Sequence, residues 1–182
     1  MGNGFPRLRT IGTLGVALVV GAATATVAST RTEAVASRSP AQQHALAERT
    51  RLTPRETALL FQVNTVRAAH GLATLRVDPR LVRAARRHTA AIVRSGVFEH
   101  GKFWVWIEHE GVTGGRIAET LGWTAPTEGS ERRIVNGWLH SPRHRAILLG
   151  RAYRDIGIGV HVGTFKGRPN AAVATADFHG PA

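Results

Sequence analysis

Three residues in this chain, His144, Glu119 and His88, carry side chains that could do chemistry and sit in contexts that make them noteworthy. His144 follows Ser141–Pro142, a pair suited to cap a helix and to fill its first position, where no backbone N–H is needed. That would pin the imidazole in an opening turn. Glu119 lies between Ile117 and Leu121 in an alternating run, so the spacing places a carboxylate on the apolar face of a strand. Such a group is costly unless it has a partner. His88 falls on the apolar stripe Leu81, Ala85, His88, Ile92, where a neutral histidine with a single hydrogen bond is the plain alternative to a ligand or acid–base role. Phe98–Glu99–His100 comes just after that stripe ends. Imidazoles and a carboxylate suit acid–base work or metal ligation. Nucleophilic catalysis has little to draw on: there is no Cys, no Gly-x-Ser-x-Gly elbow and no His-Glu-x-x-His motif.

The elements that must position these groups can be read around them. Thr53–Pro54–Arg55–Glu56 is a capping box, and Leu59, Val63 and Val66 continue it as a helix that Gly71 closes. Asn64 and Arg67 lie on a neighbouring face, free to hydrogen-bond loops across the fold or to face solvent. Asp78–Pro79 starts a second helix, with Arg83, Arg86, Arg87 and Arg94 opposite the His88 stripe and Gly96 at its end. The aromatic run Phe103–Trp104–Val105–Trp106–Ile107 reads as a short core-packed helix, the alternative being an exposed lipid-contacting loop. A third long helix, starting at Thr127 or Ser130, carries Ile134, Val135, Trp138 and Leu139, and a short one runs from Pro142 towards Gly150. Asp155–Val162 and Ala171–Phe178 alternate and form an antiparallel hairpin across a turn at Gly163–Asn170.

The N-terminal part reads differently. Arg7 and Arg9 precede an apolar run over 11–28, followed by small-residue sites ending at Ala28 and Ala36. This is the pattern of an export signal over 1–36, cleaved preferably after Ala36, with an uncleaved anchor as the alternative. Residues 37–52 are a polar linker, and the domain proper spans 53–182. The chain has 182 residues, no cysteine and a formal net charge of +12. An exported domain without disulfides must rest on its core or on a bound ion. The charge favours anionic partners such as wall polymers or lipid headgroups. A nucleic-acid partner is disfavoured by export and by the lack of a helix-turn-helix or stacking-aromatic motif.

Five stretches in order resemble one family. Asn64-x-x-Arg67-x-x-x-Gly71–Leu72-x-x-Leu75-x-x-Asp78-x-x-Leu81, then Ala85-x-x-His88 with Phe98–Glu99–His100, then Ile117–Ala118–Glu119–Thr120–Leu121, then Trp138-x-x-Ser141–Pro142-x-His144–Arg145-x-x-Leu148, then Ile156–Gly157–Ile158–Gly159 with the closing strand, are similar to the CAP superfamily and its bacterial SCP-like extracellular branch. The resemblance covers about 53–180. It implies an α+β fold, a three-layer α-β-α sandwich with a central antiparallel sheet. It also implies a cleft in which His100, Glu119 and His144 are the metal-ligating or catalytic candidates, with Arg143 and His88 beside them as ligand-binding residues. The family's second acid falls on Ser141, Ala118 and Thr120 replace Gly and Asn, and Arg143 replaces Gly, which adds positive charge and favours an anionic ligand over a cation. The reading preferred here is a secreted, non-enzymatic binding module for a small molecule, a lipid or a weakly held divalent cation such as zinc. A metal-assisted extracellular hydrolase, or a basic module for anionic wall polymers, is the alternative.

Overall fold

The computed structural model describes residues 51–125 and 129–182. The apolar run 11–28, both cleavage sites, most of the linker and Thr127 lie outside the described residues. Helix α1 (Pro54–Ala69) begins with the expected capping box: the Thr53 side chain accepts from Glu56 N, and Glu56 accepts from Thr53 N at 2.7 Å. Glu56 is itself buried and also receives Nε and Nη2 of Arg86, so a helix cap doubles as a clamp between helices. Strand β1 (Arg76–Val77) is followed by α2 (Pro79–Ser95), which Asp78 caps and which Gly96 ends at φ 72°. The aromatic run forms α3 (Phe103–His109), followed by β2 (Arg116–Thr124). Helix α4 (Ser130–His140) starts at Ser130, with Gly129 in the capping position, and α5 (Pro142–Leu148) is capped by Leu149, one residue before Gly150.

Strands β3 (Asp155–Phe165) and β4 (Arg168–Gly180) are longer than the alternation alone suggests, and their turn is correspondingly tighter. Lys166 (φ 48°) and Gly167 (φ 74°) form the whole connection. Two left-handed residues match the twist of adjacent strands, so a two-residue loop suffices where an eight-residue turn is expected. The sheet order is β1-β3-β4-β2. Both long pairings are antiparallel, as expected; the short β1 joins β3 in parallel and makes the sheet mixed at that edge.

Helices cover both faces of this sheet, giving the three layers. On one side Leu59 and Val63 of α1, Ile134, Val135 and Trp138 of α4 and Leu148 of α5 pack on Ile156, Ile158, Ala174, Ala176 and Phe178. Trp138 also donates Nε1–H to Leu121 O at 2.8 Å. On the other side α2 lies on β3 and β4, and Ile92 joins Leu121, Phe165, Ala171 and Val173. The contact is close because β3 presents Gly157 and Gly159 to the helix, where an added Cβ would fall within 2.0 Å of Leu81 C and 2.5 Å of Arg86 N. Asn64 and Arg67 do bond across the fold. Asn64 pairs with both N and O of Leu75, and buried Arg67 donates to the carbonyls of Ala73, Leu148 and Gly150. With no disulfide available, these bonds tie the loops to the core.

Candidate functional site

Glu119 projects from β2 on the α2 face of the sheet, as the alternation requires, and is 3 % exposed. Its partners are two histidines. His88 of α2 donates Nδ1–H to Oε2, and His100, in the connection before α3, donates Nδ1–H to Oε1 at 2.7 Å. The lone histidine on the α2 stripe is buried and makes one side-chain hydrogen bond, which satisfies half of a buried carboxylate. Both carboxylate oxygens are engaged, which offsets the loss of hydration that burial imposes. The Nδ1 bonds hold both rings in place and leave Nε2 as the second polar atom of each.

The His88 ring is stacked on Trp106 of α3, with centroids 5.8 Å apart and planes 16° from parallel. The aromatic run thus divides its work. Ile107 is fully buried, Trp106 braces the histidine, and Trp104 and Val105 stay exposed. A cleft of about 410 Å³ opens beside this group, lined by His88, Ile92, Val97, His100, Lys102 and Trp106 among others.

His144 sits in the first turn of α5, and its ring meets that of His100 edge-on at 5.8 Å. Ser141 is the N-cap by conformation but makes no side-chain capping bond, so Pro142 alone stiffens the start. Burial lowers the pKa of His144, the neighbouring His100 lowers it further, and Glu119 opposes both. His100 and His88 are thus both bonded to Glu119, and His144 meets the ring of His100. Arg143, next to His144 in the chain, is exposed, and the cleft wall is formed without Arg143, His144 or Glu119.

The expected metal ligands gather, but not as ligands round one point. Glu119 faces the imidazoles as their hydrogen-bond acceptor, and among the described residues no group of three or more His, Asp or Glu is arranged to hold a metal ion. The residues as placed do not fit a closed metal centre, which normally has four ligands.

One acidic residue escaped the sequence reading. Asp177 of β4 stands directly across from Glu119 in the sheet register and is 1 % exposed. Neither of its oxygens has a hydrogen-bond partner among the described residues. Burial, with the Glu119 carboxylate adding to it, pushes its pKa well above the usual aspartate range. The signal that singles out Glu119 was present here too: Asp177 shares a face with Val173 and Thr175 in an apolar strand.

The cysteine-rich secretory protein family, CAP, matches residues 60–177. The chain belongs to this family. The chain is 29 % identical over 113 residues to the uncharacterized membrane protein YlbC of Bacillus subtilis; the match takes in 59 % of this chain and 32 % of that protein's length. Among solved structures, an extracellular protein containing a SCP domain from Bacillus anthracis is 20 % identical, with a TM-score of 0.55 over 71 % of this chain and 44 % of the other. An outer surface protein from Borrelia burgdorferi is 19 % identical, with a TM-score of 0.57 over 70 % of this chain and 93 % of its own. These likenesses establish the α-β-α fold. This CAP domain keeps the fold without a single cysteine.

Proposed function

We propose that this CAP protein is an extracellular binding module that holds a small molecule or lipid in the cleft beside Glu119, without turnover. The observation that carries the reading is the cleft itself. Its volume of about 410 Å³ lies in the range of small-molecule sites, and it joins apolar walls to a few fixed polar groups. Ile92, Val97 and Trp106 supply the apolar surface. His88 and His100 supply the polar points, each held by its bond to Glu119. An imidazole anchored through Nδ1 accepts a hydrogen bond at Nε2 when neutral and donates one when protonated, so the cleft suits a ligand with a polar head and an apolar body.

A hydrolase needs a nucleophile or an activated water. No Cys, Gly-x-Ser-x-Gly elbow or His-Glu-x-x-His motif occurs in the sequence. The expected result of titrating the chain with a fluorescent fatty acid is saturable binding. Ala91→Phe, which places a ring in the cleft wall, should abolish it without lowering the melting temperature. Added zinc should raise the melting temperature little, and a chelator should leave the domain folded. Metal-dependent cleavage of peptides by the purified chain would replace this reading with the hydrolase.

The extracellular placement rests on the export pattern over 1–36 and on relatives described as an extracellular protein and an outer surface protein. No helix among the described residues is long and apolar enough to cross a membrane. Expressed in a bacterial host, the chain should appear outside the cytoplasm with a new N-terminus near Ser37 or Ser29. A cytoplasmic product beginning at Met1 would contradict this.

A further inference from the structure

The cleft explains Trp106 but not its neighbours. Helix α3 is turned so that Ile107 is buried while Phe103 and Trp106 rest on the same cluster of Leu81, Ala84 and Val112. That orientation puts Trp104 and Val105 on the outer side, 40 % and 49 % exposed. Val97, in the connection leading to α3, is 50 % exposed. Half of the six large exposed apolar side chains among the described residues thus fall between positions 97 and 105.

Charge accompanies them. Arg94 and Lys102 line the adjoining cleft, and neither has an ion-pair partner among the described residues. This sets Arg94 apart from the other arginines of α2: Arg83 and Arg87 are tied to Glu110, and Arg86 to Glu56. Glu99 and Glu108 are the opposing carboxylates at this edge, Glu99 lining the cleft and Glu108 exposed on α3. Glu99 and Glu108 match Arg94 and Lys102 in number, and with Arg83, Arg87 and Glu110 counted the edge keeps a surplus of one positive charge.

We infer that this edge docks on an anionic lipid surface. Trp104, Val105 and Val97 enter the headgroup layer, and Arg94 and Lys102 meet lipid phosphates. An indole beside aliphatic side chains suits the membrane interface, where its apolar body and N–H are both accommodated. Unpaired cations next to it are drawn to anionic headgroups within about a Debye length. Trp104 and Val105 project from a short helix outside the cleft lining, which suits insertion better than reception of a peptide.

The test is quenching of tryptophan emission by lipids with brominated acyl chains, using the full chain and vesicles of phosphatidylcholine alone or with an equal part of phosphatidylglycerol. The four tryptophans are Trp104, Trp106, Trp123 and Trp138, and the apolar run 11–28 has none, so lipid affinity elsewhere in the chain does not produce the signal. The expected result is a quenched component with the mixed vesicles at low salt that Trp104→Phe removes. Arg94→Gln and Lys102→Gln should each weaken vesicle binding through this component about fivefold, while Arg132→Gln with Arg133→Gln, on exposed positions of α4, should leave it intact. Four results would overturn the inference: quenching equal with phosphatidylcholine alone, quenching that survives Trp104→Phe, equal loss with the α4 variants, or self-association through Trp104 in the absence of lipid.

Discussion

Gly157→Ala should destabilise the domain by about 3 kcal/mol or more, the upper end for overpacking a close-packed interior. The added methyl would lie 2.0 Å from Leu81 C and 2.3 Å from both Leu81 O and Val82 N. All three are backbone atoms of α2, so no side chain can rotate away to make room. The helix must lift from the sheet, and it carries His88 with it. The loss should therefore appear in two measurements: a lower denaturation midpoint, and weaker fatty-acid binding in whatever fraction stays folded. Gly163→Ala is the control. Its methyl would meet the His161 ring at 3.2 Å, which can move, and the cost should be small. A Gly157→Ala protein as stable as the parent would mean that α2 does not rest on β3 as described.

Asp177→Asn should stabilise the protein at neutral pH. The Asp177 carboxyl is buried without a hydrogen-bond partner among the described residues, and burial with the neighbouring Glu119 raises its pKa well above the ordinary value. The sign follows from linkage. The folded state holds this proton more tightly than the unfolded chain does, so as pH rises past the ordinary aspartate value of about 3.9 the unfolded chain releases its proton first and gains. Stability contributed by the protonated group is complete below that pH and is lost progressively up to the raised pKa, at about 1.4 kcal/mol for each unit between them. Asparagine has nearly the same shape and no proton to release. The variant's advantage should be largest near neutrality and should shrink as the pH falls towards about 4. Denaturation midpoints measured across that range decide the matter. A variant less stable than the parent at neutral pH would show that Asp177 is ionised and paired in the fold.

Much of the architecture was legible because its determinants are local. Thr53–Glu56, Asp78–Pro79 and Ser141–Pro142 place three helix starts by backbone chemistry that needs no tertiary contact. Alternation in β2 and β3 assigns faces in the same way, and it identified Glu119 as a carboxylate in need of a partner. Where local signals compete, the boundaries moved. Lys166–Gly167 closes the final hairpin with two residues, because strand twist rather than turn composition decides how far the ladder zips. The pairing of β1 with β3 could not be read at all, since two residues carry no periodicity.

The site divides along the same line. The sequence by itself determined that Glu119 needs a partner, that His144 begins a helix and that His88 lies on a packed face. Five motifs in order brought His100 into the set. Only the tertiary structure decided the pairing: Glu119 takes His88 and His100 on its two oxygens, His144 stands edge-on to His100, and Arg143 is exposed. It also decided that Asp177, far along the chain on β4, lies opposite Glu119, where burial and that carboxylate raise its pKa. The reason is physical. Strand alternation fixes a side chain's face within its own strand, but which neighbour shares that face depends on register and on how closely the helix settles, here on two glycines of β3.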